Sequence, residues 1–306
     1  MEWWLIVLIC LVALILVASI VTGFIGFKIV FRRTKLLTPY DVDEKSPHYA
    51  HRAELIKNYE AYLKLKHQDY TITNEKGQHL KGYLIKCNHP TEKLIIFSHG
   101  WHSNGAVDNA FTNLWMYQAA DVLVIDHVGH GASDGNTIGF GLLDSRNLQL
   151  WVKKMNEVYH HHVKIILYGL SMGANATLLN SNKKMENVKG LIADCGYTSN
   201  YDIIYKLVKS KYLMFWIGLI VRLCWGHSLK EESTLTNLKH SLYPVLFIHG
   251  KADSFVPTKM SVDNYEACSS KKEIVLIDGA NHALSCLTDP SIYEAAVKKF
   301  VNECTK

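Results

Sequence analysis

Short, nearly continuous apolar runs alternate with helical stretches along most of the chain, and this alternation restricts the fold more than any other feature. Such β-rich runs are typical of strands buried on both faces of a parallel sheet. Six runs cover residues 94–97, 122–125, 165–168, 191–193, 245–248 and 274–277, and helical stretches at about 104–120, 141–158, 172–182, 258–268 and 291–303 separate most of them. Two earlier runs, 70–72 and 80–87, flank a turn and indicate an antiparallel hairpin. The sequence therefore predicts an α/β fold with an eight-stranded, mostly parallel sheet flanked by helices.

The N-terminus carries 25 consecutive uncharged residues, from Trp3 to Phe27, and only two glycines and two hydroxyl residues interrupt the apolar series. A helix of that length measures about 37 Å and can cross a hydrocarbon core of about 30 Å. A cleaved signal peptide is the alternative, but its apolar core is shorter and its start is positive, whereas Glu2 offsets the terminal amine here. We therefore predict a single transmembrane anchor over residues 3–27.

Four basic residues follow this segment at once: Lys28, Arg32, Arg33 and Lys35. Because basic residues resist translocation, the rest of the chain is expected on the cytoplasmic side of the cell membrane. The remaining cysteines are widely spaced without a CxxC, which favours reduced thiols. The net charge of +5 is modest, and no aromatic-rich basic motif indicates nucleic acid. The expected partners are therefore the membrane, through the basic cluster, and a small molecule, while the oligomeric state stays open.

The rest of the chain divides into a polar, proline-containing linker over residues 28–48 and one large domain over residues 49–306. Residues 197–240 interrupt the strand–helix alternation with about 45 residues. Their centre, 212–225, is apolar apart from Arg222 and is too short to span a bilayer. It is either a buried helix or part of a helical cap over a binding site, and we favour the cap because long insertions often serve function.

The pentapeptide Gly169-Leu170-Ser171-Met172-Gly173 directly follows the predicted strand 165–168 and opens a helix. This is the G-x-S-x-G pattern in the strand–turn–helix context of a nucleophile elbow. Side chains at the two glycine positions would strike neighbouring backbone in so tight a turn. The turn exposes the Ser171 hydroxyl at a helix N-terminus, where the dipole favours a developing oxyanion. Ser171 is therefore the candidate nucleophile.

Further motifs occur at the ends of the other predicted strands: His99-Gly100-Trp101, 126–135 (DHVGHGASDG), 194–199 (DCGYTS), 249–253 (HGKAD) and Ala280-Asn281-His282. Together with the elbow, they resemble the α/β-hydrolase superfamily over residues 69–303. Within it, the chain is similar to bacterial membrane-anchored hydrolases of the serine aminopeptidase and monoglyceride-lipase-like branch. The resemblance implies a Ser-His-Asp triad in the chain order serine, acid, histidine, and this order is present here.

A serine nucleophile needs a base and an acid that orients the base. His282 follows the last predicted strand, where a loop can bring its ring over the elbow. The acid is either Asp253 or Asp194, which follow neighbouring predicted strands, and the resemblance favours Asp253 because Gly-x-x-Asp after that strand matches this branch. The backbone N–H groups of Met172 and Trp101 are expected to form the oxyanion hole.

No metal or organic cofactor is expected. Residues 160–162 are three consecutive histidines near a helix end, and adjacent helical residues do not point at one ligand. His99 and His249 lie beside glycines and resemble structural positions of the family, and His127 and His130 lie in a Gly-rich loop that they are expected to shape. The stretch 129–135 lacks the Gly-Lys-Ser/Thr ending of a phosphate loop.

The sequence thus predicts a membrane-anchored serine hydrolase that cleaves a carboxylic ester or a lipid-like acyl substrate. A peptidase, an amidase and a thioesterase remain alternatives, since all pass through a tetrahedral oxyanion. A catalytically silent hydrolase fold that binds lipid or a membrane partner is the non-enzyme alternative, against which the intact triad residues argue.

Overall fold

The computed structural model describes residues 2–34, 38–112 and 116–306. The chain divides into two compact units, one of residues 1–32 and 200–231 and one of residues 33–199 and 232–306. The second unit contains a sheet and the helices that flank it. The first contains the N-terminal helix and two helices of the predicted insertion.

In the described residues, the second unit carries one eight-stranded sheet with the order β1-β2-β4-β3-β5-β6-β7-β8. The strands are β1 (Gln68–Thr73), β2 (His79–Ile85), β3 (Lys93–Ser98), β4 (Asp121–Ile125), β5 (Lys164–Leu170), β6 (Val188–Asp194), β7 (Val245–Gly250) and β8 (Lys272–Ile277). β2 pairs in antiparallel fashion with β1 and β4, and the pairs from β4 through β3 to β8 are parallel. The predicted eight-stranded, mostly parallel sheet is therefore confirmed.

Both faces of this sheet are covered, and β3 shows how. Leu94 and Ile96 belong to one buried apolar cluster, and Ile95 and Phe97 to another. Successive side chains of a strand point to opposite faces, so the two clusters are the cores on the two sides of the sheet. A continuous apolar run is the consequence of this double burial.

The helices are α1 (Trp3–Phe31), α2 (Arg52–Leu63), α3 (Gly105–Asn109), α4 (Met116–Ala119), α5 (Leu142–Val158), α6 (Met172–Leu178), α7 (Asn200–Val208), α8 (Lys211–Trp225), α9 (Thr234–Leu238), α10 (Thr258–Ala267), α11 (Ser285–Thr288) and α12 (Pro290–Cys304). Short 3₁₀ helices cover Pro39–Asp41, Pro47–His51 and Ala110–Thr112. The predicted helix over 104–120 is instead a series of short pieces, and its residues 113–115 lie outside the described part. Asn104 caps α3 through its side chain, which accepts from the N–H of Val107 at 2.9 Å.

The interval 28–48, predicted as a linker, contains the end of α1 and short helical segments. α1 continues to Phe31, and Ser46 caps the 3₁₀ helix Pro47–His51 by accepting from the N–H of His48. Arg33 donates to the backbone carbonyls of Gly131, Ser133 and Gly135. Lys35, part of the predicted basic cluster, lies outside the described residues. Arg33 is therefore held on the loop 131–135 by polar contacts that composition does not reveal.

In the first unit, α1 is long and apolar enough to cross a membrane. α8 lies along its C-terminal half, and α7 precedes α8 in the chain. The predicted insertion 197–240 thus contains two helices of the first unit, followed by α9, which belongs to the second unit.

Candidate active site

Ser171 occupies a sharp turn between β5 and α6, as the elbow pattern predicts. Its backbone has φ +55° and ψ −111°, a conformation that costs a non-glycine residue about 1–3 kcal/mol. A Cβ at Gly169 would collide with the carbonyl of Gly173, and one at Gly173 would collide with the carbonyl of Ser98. Both obstacles are backbone, which cannot move aside as a flexible side chain can. The two glycines are therefore required by the closeness of β3, β5 and α6.

The structure brings Ser171, His282 and Asp253 into one hydrogen-bonded chain. The Ser171 hydroxyl donates to His282 Nε2 at 2.9 Å, and His282 Nδ1 donates to Asp253 Oδ2 at 2.7 Å. The Asp253 side chain is fully buried, whereas His282 is about 15% exposed. Because a carboxylate can only accept, it fixes the proton on Nδ1 and leaves Nε2 free to take the serine proton.

The Asp253 carboxylate is held in its ionised form. Burial opposes ionisation, but hydrogen bonds from His249 and His282 outweigh burial and lower the pKa of Asp253 below its ordinary value. Its second oxygen accepts from the backbone N–H groups of Phe255 and Val256 at 2.8 and 2.7 Å. These contacts leave the carboxylate little freedom to turn away from His282.

Asp194, the alternative acid, is placed differently. Its Oδ2 accepts from the Tyr293 hydroxyl at 2.7 Å, and no hydrogen bond joins it to His282 in the described residues. Burial raises the pKa of Asp194 to about 6, although the Tyr293 hydrogen bond acts against that rise. The geometry therefore assigns the orienting position to Asp253.

The residues predicted for the oxyanion hole lie at the two expected turns. Met172 is the first residue of α6, so its N–H has no partner within that helix. Trp101 follows β3, and its ring stacks on that of Phe255 with centroids 6.2 Å apart. The preceding N–H, of Gly100, donates to Asp108 Oδ2 at 2.6 Å. Asp108 therefore fixes the turn that carries Trp101.

Two histidines beside the triad were not assigned a role in the site from the sequence. His249 Nε2 lies 3.1 Å from Asp253 Oδ2, and its Nδ1 lies 2.6 Å from the Ser261 hydroxyl. His48 Nε2 donates to the backbone carbonyl of His282 at 2.9 Å. Burial lowers the pKa of His48, so its ring is neutral at pH 7. The spacing of His249 four residues before Asp253 was a usable signal, but His48 lies in the polar interval 28–48 and offered none.

The other histidines shape loops or lie on the surface. The N–H of His127 donates to His99 Nε2 at 3.0 Å, and His99 Nδ1 donates to the Gly100 carbonyl at 2.7 Å. His161 pairs with Glu186 on an exposed surface. The 126–135 loop and the turn after β3 are thus tied together through these imidazoles.

One group of side chains near the site has a spacing that a metal ion could use: Cys195, Asp253 and His282, whose ligand atoms lie within 4.8 Å of one another. Burial raises the pKa of the Cys195 thiol well above its ordinary value, so the sulfur keeps its proton. A protonated thiol is a poor ligand, and Asp253 and His282 already bond each other. This arrangement fits the triad better than a metal centre.

Comparison with known proteins agrees with this fold. The family model described as serine aminopeptidase, S33, matches residues 89–225, which include the elbow and end before Asp253 and His282. The protein YqkD of Bacillus subtilis is 26% identical over 300 residues, which cover 94% of this chain and 96% of YqkD.

Solved structures show the same architecture at low sequence identity. The esterase Pf2001 of Pyrococcus furiosus has a TM-score of 0.65 and 21% identity, and the match covers 80% of this chain and 95% of the esterase. Dipeptidyl peptidase 4 of Porphyromonas gingivalis has a TM-score of 0.58 and 15% identity, over 78% of this chain and 36% of the peptidase. With the sheet order and the elbow already established, these likenesses lead to one conclusion: the chain has the α/β-hydrolase fold.

Proposed function

We propose that the protein is a membrane-anchored serine hydrolase that cleaves a carboxylic ester or a lipid-like acyl substrate. The observation that carries this proposal is the continuous chain of hydrogen bonds from Ser171 through His282 to the ionised Asp253. Each link has the atom, the distance and the proton position that acyl transfer needs.

The proposed reaction proceeds in two halves. The Ser171 oxygen attacks the acyl carbonyl while His282 Nε2 takes its proton, and Asp253 stabilises the imidazolium that results. The N–H groups of Met172 and Trp101 stabilise the oxyanion. His282 then returns the proton to the leaving group, and the acyl group stays on Ser171. A water molecule, activated by His282, releases the acid and restores the serine.

Several observations support an ester or lipid-like acyl group as the substrate. The esterase Pf2001 shares the fold. A largely apolar cleft of about 290 Å³ lies beside His48, lined also by Val107, Phe111 and His102, and it could accept part of an acyl chain. The apolar helix α1 supports attachment to a membrane, where acyl lipids are concentrated.

A serine aminopeptidase is the second candidate function. The description of the matching family model favours it, and so does the likeness to a dipeptidyl peptidase. The same triad would serve an amide or a thioester, because the tetrahedral oxyanion is shared. A silent fold that binds lipid remains the non-enzyme alternative.

A fluorophosphonate probe separates an active serine hydrolase from a silent fold. We expect the full chain in detergent micelles to be labelled, and Ser171→Ala to abolish the labelling. Ser291→Ala, which changes an exposed serine on α12, is the matched control and should be labelled as the native chain is. Native chain that folds but takes no label would refute the hydrolase proposal.

Substrate class requires a second experiment. We expect p-nitrophenyl esters of increasing chain length to be cleaved faster than aminoacyl amides, and Ser171→Ala to remove both activities. Faster cleavage of aminoacyl amides would instead support the aminopeptidase.

A further inference from the structure

α8 and α1 pack in parallel within the first unit. The Tyr212 hydroxyl donates to Ser19, the Trp216 side chain lies on Gly23, and Trp225 packs edge-on against Phe31 with centroids 4.9 Å apart. In these contacts, residues further along α8 meet residues further along α1, so the two helices run in the same direction. The absence of a side chain at Gly23 lets them approach closely, as small residues do between membrane helices.

This pairing sets the depth of α8 if α1 spans the bilayer. Counted from Trp3 at about 1.5 Å per residue, a hydrocarbon core of about 30 Å ends near residue 23. Ser19 lies about 6 Å inside that limit. Tyr212 therefore reaches the edge of the hydrocarbon core near residue 23. From there α8 follows α1 through the headgroup region, where Lys28 lies. Aromatic residues such as Tyr212, Trp216 and Trp225 are typical of that zone.

A further face of α8 is left exposed by the residues that the structure describes. Phe215 and Leu223 are 64% and 77% exposed, and Tyr212 and Leu219 continue the same stripe at intervals of three and four residues. Four large apolar side chains in one row would be costly in water. Lipid around α1 would cover these four side chains, because they lie on α8, which packs against α1.

A groove of about 380 Å³ runs beside this stripe and combines an apolar floor with positive charge. Met214, Phe215 and Leu219 line it together with the cations Lys211, Arg222 and Lys230. Lys230 lies over the Tyr201 ring at 4.2 Å, and no carboxylate forms an ion pair with any of the three cations in the described residues. Residues 200–231 contain five basic and two acidic residues. The groove is therefore complementary to an anion that carries an apolar tail.

We infer that α8 crosses the headgroup region of the lipid beside α1 and that its basic groove binds the headgroup of an anionic phospholipid. The acyl chains of that lipid lie along the stripe formed by Tyr212, Phe215, Leu219 and Leu223. The inference rests on the membrane attachment in the proposed function, and it adds a lipid site separate from the triad.

The depth of α8 is tested with an environment-sensitive fluorophore on single cysteines of the full chain. Ser171→Ala prevents hydrolysis of the vesicle lipids, and serines replace Cys87, Cys224 and Cys304, which are at least partly exposed. The probe sits on Cys10 of α1 or, in chains in which Cys10 is also replaced by serine, on Leu223→Cys or on Leu242→Cys. Leu242 is the matched control, because it is 57% exposed on the second unit.

In vesicles of phosphatidylglycerol and phosphatidylcholine, we expect blue-shifted emission and quenching by spin-labelled lipid at positions 10 and 223, and neither at 242. A water-like signal at 223 with a lipid signal at 10 overturns the inference and leaves the anchor intact. A water-like signal at both positions overturns the inference and the membrane attachment, while fluorophosphonate labelling of Ser171 would still test the hydrolase independently.

The groove is tested by binding of fluorescent phosphatidylglycerol to the full chain in neutral detergent micelles. Each cation near an anionic lipid surface contributes roughly a fivefold change in affinity, so Lys211→Gln, Arg222→Gln and Lys230→Gln together should weaken binding ~100-fold. The same charge change at the exposed Lys183, Lys184 and Lys189 should have no effect. Equal binding by the two triple variants overturns the groove. Inorganic phosphate that binds as tightly as the lipid overturns a lipid site in favour of a phosphate site.

Discussion

At the scale of residues, two buried aspartates at the ends of neighbouring strands have opposite protonation tendencies. Asp253 receives hydrogen bonds from two histidines and two backbone N–H groups, and its pKa is lowered. Asp194 receives one from Tyr293, and burial raises its pKa to about 6. The number of hydrogen-bond donors distinguishes the two buried carboxyl groups.

Substitution of each aspartate should therefore have unequal effects. Asp253→Asn presents an amide to His282 and disturbs the proton position on its ring, so we expect kcat on a p-nitrophenyl ester to fall by about 10⁴. Asp194→Asn should stay within about tenfold of the native rate, because Tyr293 can still donate to the amide oxygen. If Asp194→Asn lowers kcat by more than Asp253→Asn does, the assignment of Asp253 as the acid is wrong.

Asp144 predicts a pH dependence of stability. Burial raises the pKa of this carboxyl to about 7, although the N–H of Gly141 donates to it. A group whose folded pKa exceeds its unfolded value stabilises the fold at low pH and loses that contribution as pH rises, here between about 4 and 7. We expect Asp144→Asn to flatten the change of Tm between pH 5 and pH 8.

The control for this variant is Asp278→Asn, which changes a side chain that is 86% exposed and should leave the pH profile of Tm unaltered. A profile of Asp144→Asn that still falls as steeply as that of the native chain would contradict the assignment.

Sequence patterns located the residues of the site but not the contacts that hold them. Ser171 and His282 stand at predicted strand ends, so topology alone brings them to one edge of the sheet. His48 and Asp108 act through a backbone carbonyl and a backbone N–H. Such contacts depend on the path of loops, which hydrophobic periodicity does not encode.

At the scale of elements, the elbow depends on the approach of β3 to α6. Gly173→Ala places a methyl group against the Ser98 carbonyl, so we expect the variant to lose fluorophosphonate labelling and to unfold at a lower temperature. Gly218→Ala is the matched control, because nothing lies within 4 Å of its added Cβ and it sits in the middle of α8. That substitution should stabilise a helix by up to about 1 kcal/mol. A Gly173→Ala chain with native stability would contradict the close packing.

The 3₁₀ helix Pro47–His51 carries His48, which bonds the backbone of the proposed base His282. His48→Gln removes the imidazole that donates to the His282 carbonyl and that also lines the cleft of about 290 Å³, so we expect kcat to fall several-fold and KM to rise by a smaller factor. His51→Gln, in the same element, should change neither constant. A rise in KM alone would indicate that His48 binds substrate and does not position His282.

Strands were easier to predict than the connections between them. All eight β-rich runs are strands, because burial on both faces leaves a continuous apolar signal. The predicted helical stretch over 104–120 contains short helical pieces, and the first begins at a local cap, Asn104. The sequence did not reveal that β4 lies between β2 and β3, since that order depends on pairing between distant segments.

At the scale of the whole molecule, the N-terminal segment and residues 200–231 of the insertion form one compact unit, although about 170 residues separate them in the chain. The sequence predicts the two segments separately, one as an anchor and one as a cap. Neither pattern indicates that the two segments pack together. Ser19, Gly23 and Gly26 were notable only as interruptions of an apolar run, yet the first two contact α8 directly. Removal of α1 would expose the face of α8 that carries Trp216, so experiments on this protein should use the full chain.

We propose that the charges at the two ends of α1 set the orientation of the protein in the membrane. Lys28, Arg32 and Arg33 follow the apolar segment, whereas Glu2 precedes it, and basic residues stay on the cytoplasmic side. We expect a fluorescent protein fused to the C-terminus to fluoresce, and a fused alkaline phosphatase, which is active only outside the cytoplasm, to be silent. Replacing the three cations by Glu and adding three lysines before Trp3 should reverse both signals, because the charge asymmetry is then inverted. Phosphatase activity in the native fusion would show that the domain lies outside the cytoplasm and that the substrate must be sought there.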